Sequence, residues 1–352
     1  MKEKIIYFLN ETNSRGNTAG TKLKDDVLSF FKDAKFRPIN KIPLISGNKK
    51  GVFYIIKSAI GVLSITFKLL FSKNQTIIMI YPLIKISFWK HAFIRACKRN
   101  IVVLYVFDLL YYQYKCFNTH KDFSLEQECH FLNNASLCIL ASEKEKRILN
   151  QNGLTAKTKV LDFLDYRSDI YCEPINNRIK NSVAFAGYLK RSSFLEHLSN
   201  EGKTSFFLFG DGFESLNVHN SKIAYVGSFD SESLVFQMKQ YMFGLVWDGN
   251  NQETLEHFYG GYEKVIIPHK SMAYINAGLP LIVWSNSAVA DLVDKYNIGI
   301  KINNLNEIDE AISLIDESKY RDMMNNLLDI QKKLSSDYYL KNALGDLIAK
   351  DM

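Results

Sequence analysis

Five cysteines in 352 residues form no Cys-x-x-Cys pair and no zinc-type spacing with histidine, which excludes a zinc module and a disulfide-stapled scaffold. Reduced thiols in a cytoplasmic protein fit this usage best. No Gly-x-Gly-x-x-Gly opens the chain, which disfavours a sugar-nucleotide epimerase or dehydrogenase. There is no convincing Asp-x-Asp pair, so no metal is expected. The apolar run before Asn10 is only five residues long, too short for a secretion signal. Low-complexity tracts and short repeats are missing as well. A formal net charge of +7 needs a use, but no zinc-finger or RNA-recognition signature is present. The cations are scattered rather than interleaved with aromatics, so anionic substrates or a membrane surface are expected and nucleic acid is not.

What is present is a packed α/β protein. Hydrophobic residues make up 47% of the chain and aromatics 13%, and the length suggests two domains, each able to bury its own core. Short apolar runs at 5–10, 77–81, 101–107, 137–141 and 160–163 alternate with helical segments at 20–31, 52–71, 89–98, 125–133 and 143–152. Further strands are expected at 183–187, 206–209, 223–226, 243–247, 281–284 and 299–302, and a closing helical region at 306–350. Such alternation predicts parallel sheets. The polar stretch 167–182 reads as a linker.

Residues 51–71 are apolar for long enough to raise the question of a membrane span. On a helix, Lys57, Gly61, Ser64 and Lys68 share one narrow stripe while the remaining surface is apolar. A core helix of the N-terminal domain is the first expectation. A peripheral membrane contact is the alternative, with Lys49 and Lys50 in front and Lys73 behind.

Several strand ends carry polar or glycine-rich loops, where α/β sheets bind ligands. Pro268 opens a short helix whose first turn carries His269 and Lys270. A cation there is unfavourable beside the positive helix end unless an anion compensates, and a diphosphate would do so. His269 is a candidate ligand contact, although a structural role is the commoner one. Gly187 and, after it, Lys190 and Arg191 follow one strand; Phe209-Gly210-Asp211-Gly212 follows another; Trp247-Asp248-Gly249 follows a third. Asp248 could bond sugar hydroxyls or position a nucleotide, and Trp247 could wall the sugar. Plain turns and caps are the alternative explanation for each of these.

The segments Pro268-His269-Lys270, Ala277 to Trp284, Ala288 to Val293 and Asn297-Ile298-Gly299 resemble the C-terminal half of bacterial GT-B glycosyltransferases. The nearest group holds the β-1,6-galactofuranosyltransferases and the glucosyltransferases of streptococcal serine-rich-repeat adhesin glycosylation. The resemblance implies two facing Rossmann-like domains with a cleft between them: an acceptor domain over 1–170 and a donor domain over 180–335. A final helix over 336–352 would cross back to the first domain. It also implies a UDP-sugar donor of glucose or galactofuranose, an inverting and metal-independent transfer, and an acceptor glycan, lipid-linked or on a glycoprotein. By position Arg191 matches a donor-binding Gly-x-x-x-Arg element, and Tyr225 an aromatic that lies against uracil. Gly20 and Thr21 would border the acceptor and the transferred sugar. Lys270 and Arg191 would stabilise the departing diphosphate. Related sequences often read His-Asp where this chain has Phe107-Asp108, which leaves Asp108 as the candidate general base. The phenylalanine also keeps open a non-catalytic partner of another transferase, and a homo-oligomer is compatible with either. Localisation would be cytoplasmic, with the inner membrane face as the alternative site.

Overall fold

The computed structural model describes residues 5–13, 19–46, 52–169, 178–199, 201–248 and 258–348. Among the residues named above, 14–18 of the first loop, 47–51, 170–177 of the linker with Cys172, Gly249 and 349–352 lie outside the described residues. The chain divides into two compact units, Met1–Leu161 with Tyr339–Met352, and Asp162–Tyr338.

The first unit runs β1 (Ile6–Phe8), β2 (Glu11–Asn13), α1 (Ala19–Asp33), β3 (Arg37–Pro38), β4 (Leu44–Ser46), α2 (Val52–Phe71), β5 (Thr76–Tyr81) and α3 (Lys90–Cys97). It continues with β6 (Ile101–Val106), α4 (Leu110–Cys116), α5 (Leu125–Leu132), β7 (Leu137–Leu140), α6 (Glu143–Gln151) and β8 (Thr158–Val160). Six strands form a parallel sheet in the order β3-β1-β5-β6-β7-β8, and β2 pairs with β4 apart from it. The central strands Thr-Ile-Ile-Met-Ile-Tyr and Ile-Val-Val-Leu-Tyr-Val are almost wholly buried. Continuous β-branched runs suit strands covered on both faces. Gly153, at φ +90°, sits just past α6, where its missing Cβ allows the left-handed turn.

Helix α2 is not the core helix expected from its composition. Its buried residues are Ser58, Gly61, Ile65 and Leu69, a narrow strip that faces the protein while most of the helix's apolar side chains face out. Packing explains the placement. A Cβ on Gly61 would stand 3.1 Å from Leu44 Cδ2, so β4 approaches α2 at its smallest residue. Lys57 and Lys68 are half-buried, their ammonium groups 4.3 Å and 4.6 Å from the ring centroids of Phe53 and Tyr7. Of the anticipated polar stripe, Ser64 points outward with the apolar residues.

The second unit runs β9 (Ser182–Ala186), β10 (Ser205–Phe209), β11 (Ile223–Gly227), α7 (Ser231–Met238), β12 (Phe243–Val246), α8 (Phe258–Glu263), α9 (His269–Asn276) and β13 (Leu281–Trp284). After these come α10 (Ala288–Tyr296), β14 (Gly299–Ile302), α11 (Ile308–Ser313) and α12 (Glu317–Ser335). The last helix, α13 (Tyr338–Ile348), groups with the first unit from Tyr339 onward. The six strands are parallel in the order β11-β10-β9-β12-β13-β14. From β9 the chain winds outward through β10 and β11, then returns to β12 on the other side of β9. That reversal is a topological switch point, where neighbouring loops diverge and leave room for a ligand. Arg167 Nε and Nη2 each donate to Asp337 at 2.7 Å, clamping the entrance of this unit to its exit.

Candidate functional site

At the switch point the ends of β9 and β12 are neighbours, and α9 brings Lys270 over both. Pro268 is the N-cap of α9, so Lys270 lies in the first turn. Its ammonium donates to the Trp247 carbonyl at 3.1 Å and pairs with Asp248 Oδ2 at 2.9 Å. The same Nζ lies 4.9 Å from the Phe185 ring centroid and 3.9 Å from where a Gly187 Cβ would stand. The anion demanded by a cation at a helix N-terminus is thus supplied from within by Asp248. Lys270 is only 11% exposed at its side chain and Asp248 38%. The pair is thus open to solvent at Asp248.

Two buried groups that the sequence reading passed over support this pair. Glu263, 2% exposed, ends α8. Burial foremost, then the adjacent Asp248 carboxylate, push its pKa well above the ordinary carboxyl range, while Lys270 pulls it down. Neither of its oxygens makes a hydrogen bond of ordinary geometry among the described residues. Two carboxyl groups thus gather around one ammonium, and burial beside Asp248 favours the protonated form of Glu263. The other is Tyr274, one turn after Lys270, whose Oη accepts from the Ala186 amide at 2.7 Å. Gly244 lets that ring in, since a Cβ there would meet Tyr274 Cγ at 2.3 Å. The end of β9, and with it Gly187, is fixed against α9. The available signal for Glu263 was a charged residue just before the apolar run Val265-Ile266-Ile267.

Gly187 also packs on the second glycine loop. Gly210, at φ +126°, passes so close that a Cβ would fall 1.9 Å from the Gly187 carbonyl oxygen, so this turn requires glycine. Arg191 ends a single 3₁₀ turn, Leu189–Arg191, after Gly187. It is exposed, with its guanidinium 5.6 Å from the Tyr188 ring centroid. Tyr225 is 43% exposed and lies parallel to Phe213 at 4.6 Å with a 1° interplanar angle. Its hydroxyl donates to the Gly210 carbonyl at 3.2 Å. The His269 ring stacks on Tyr166 at 4.9 Å.

The expectation that Trp247 walls a sugar is corrected. Its side chain is fully buried in the core beside Phe243 and Leu245, because residues two apart on a strand face the same side. Only its carbonyl serves the site.

In the first unit, Asp108 follows β6 in the turn that opens α4. Glu128 holds that turn: it accepts from the Leu110 amide at 2.7 Å, the Tyr111 amide at 3.0 Å and the Tyr81 hydroxyl at 2.7 Å. Gln113 donates to Asp108 Oδ2, while Oδ1 is buried without a hydrogen-bond partner among the described residues. Burial chiefly, with Glu128 adding to it, raises the Asp108 pKa to about 7 against the opposing pull of Gln113, the Leu109 amide and Lys24. Lys24, paired with Glu11 at 2.8 Å, places its ammonium 5.8 Å from the Phe107 ring centroid. Gly20 and Thr21 lie in the first turn of α1. The structure thus brings Gly187, Trp247, Asp248 and Lys270 together, with His269 next to Lys270. Arg191 stands in the turn after β9 and Tyr225 on β11, and Gly20, Thr21 and Asp108 belong to the other unit.

Comparison with known proteins agrees with this architecture. Residues 5–163 match the N-terminal domain and 183–347 the C-terminal domain described as glucosyltransferase 3-like. The chain is 26% identical over 352 residues to the β-1,6-galactofuranosyltransferase WbbI of Escherichia coli K12, covering 97% of this chain and 98% of that one. It is 26% identical over 219 residues to glucosyltransferase 3 of Streptococcus gordonii, covering 61% and 62%. Among solved structures, Anabaena Alr3699/HepE in complex with UDP superposes with a TM-score of 0.60 at 14% identity, over 97% of this chain and 100% of that one. The lipopolysaccharide outer core galactosyltransferase WaaB gives a TM-score of 0.59 at 14% identity, over 98% and 99%. With both of its domains matched and its two parallel-sheet units sharing the fold of these enzymes, the chain belongs to the glucosyltransferase 3-like family of GT-B glycosyltransferases.

Proposed function

We propose that this chain moves a hexose, glucose or galactofuranose, from a UDP-sugar to a hydroxyl of an acceptor glycan in surface polysaccharide or glycoprotein biosynthesis. One observation carries the reading: Lys270, held by Asp248 and Trp247 beside Gly187, sits at the switch point of the second sheet. Breaking a sugar–diphosphate bond leaves negative charge on the departing group, and a positioned cation stabilises that charge as it develops. Lys270 meets this demand, and Arg191 is its assigned partner. The diphosphate would compete with Asp248 for Lys270, releasing that carboxylate toward the sugar or ribose hydroxyls. Tyr225 is assigned to the uracil and Gly187 to the close approach of backbone to the donor.

The first unit would hold the acceptor, with Gly20 and Thr21 at its edge. Asp108 is assigned the base: a carboxylate with a pKa of about 7 is poised to take the acceptor hydroxyl proton as its oxygen attacks the anomeric carbon. Direct displacement of this kind inverts the anomeric configuration. Two protein cations serve the leaving group, so the reading is metal-independent, and the enzyme is taken to be cytoplasmic. The names of the relatives supply the two candidate hexoses. Incubating the chain with UDP-glucose or UDP-galactofuranose in EDTA, with UDP release as the readout, tests this. Slow release by the wild type that Lys270→Ala abolishes is expected. No release from either donor by any form contradicts the proposal.

A further inference from the structure

We propose that the outward face of α2 docks this chain onto an anionic lipid bilayer, lying in the interface rather than crossing it. The exposed side of α2 is almost wholly apolar: Val52 is 73% exposed, and Leu63, Phe67 and Phe71 are each 68% exposed. Within the described residues α2 is the one helix long and apolar enough to span a membrane, yet its other side is fastened to the protein. Gly61 lies against Leu44, Ser58 accepts from Lys85, and the Leu70 carbonyl accepts from Arg95 and Arg99 at 3.3 Å and 3.2 Å. Crossing would strip these contacts. Lying flat buries only the free face, as interfacial helices do.

Charge selects the occupant. Between Ala34 and Phe107 the sequence has thirteen Lys or Arg and no Asp or Glu, although the whole chain nets only +7, so the remainder nets −6. At the C-terminal end of α2 an open cavity of ≈ 550 Å³ is lined by Lys73, Lys98 and Arg99 together with uncharged residues. An apolar strip ending at a cationic recess matches acyl chains beneath anionic headgroups. A second copy is the poorer fit, because an isologous pairing would set two all-basic rims against each other.

Co-sedimentation of the full chain with phosphatidylcholine vesicles, with and without phosphatidylglycerol, tests this. Binding only to the phosphatidylglycerol vesicles, weakening with added salt, is expected. The double change Leu63→Asp with Phe67→Asp should weaken binding roughly tenfold or more at an unchanged melting temperature. Lys73→Glu with Lys98→Glu should remove most of the salt-sensitive part. Equal binding to both vesicles, or none, overturns the proposal. So does a concentration-dependent dimer that the Leu63, Phe67 variant dissolves, because the face then serves a second copy. Vesicle binding is read without any donor, so its result stands apart from that of the transferase reading.

Discussion

Lys270 was legible in the sequence because its position is locally wrong: a cation in the first turn of a helix opposes the dipole unless something compensates. Its immediate compensation, Asp248, was legible as a residue but not as a partner, because the pairing depends on α9 packing over the end of β12. Glu263 was missed for the same reason, since a lone acid beside an apolar run says nothing of the ammonium it faces. Trp247 was misread because a strand's alternation runs one residue past its hydrogen-bonded end. Asp108 gives the residue-scale prediction. As a base it works only when ionised, so kcat/KM should climb as pH rises through about 7. Asp108→Asn should lower transfer by about 10²–10⁴-fold and erase that rise. A wild-type profile without an inflection near 7, or an active Asn variant, removes it from the mechanism.

Elements were legible where a long apolar run forces a buried strand. The expectations at 77–81, 281–284 and 299–302 meet β5, β13 and β14 within a residue. The two- and three-residue β3 and β4 were not foreseen, because so few residues carry no period. For α2 the narrow stripe was visible, but not which side of it would face the protein; that was decided by β4 seating against Gly61. Two predictions belong here. Tyr274→Phe should leave the Ala186 amide buried without its acceptor, costing about 1–3 kcal/mol in denaturant unfolding; an unchanged midpoint would show that the contact does not hold β9 to α9. In α6, burial raises Glu145 to about 8 from an ordinary 4.5, even though it accepts from the Ala141 amide at 2.7 Å. The folded state binds the proton more tightly than the unfolded chain, so the stabilisation is complete below 4.5 and is lost as pH rises through about 8. Glu145→Gln stays neutral and keeps an acceptor, so its melting temperature should exceed that of the wild type by a few degrees above pH 8, and less so toward acid. Parallel melting curves for the two forms would contradict this.

At the scale of the whole molecule, two parallel sheets follow from hydrophobic runs too continuous for one-sided strands. The strand order was not legible, because it is set by which loops can cross over a sheet rather than by any local pattern. The order β11-β10-β9-β12-β13-β14 turns scattered glycines and a lysine into one site, by setting the loops after β9 and β12 side by side. The same folding sets Lys85, Arg95 and Arg99 against α2, with Lys73 and Lys98 at the recess by its C-terminal end. What the account asserts above all is that the second unit binds a nucleoside diphosphate through Lys270 with Arg191. Isothermal titration of UDP into the wild type, Lys270→Ala and Arg191→Ala tests this most directly. Each substitution is expected to weaken binding by about 1–3 kcal/mol, the loss of a charged hydrogen bond. Equal affinity in all three proteins, or no binding by the wild type, would contradict it.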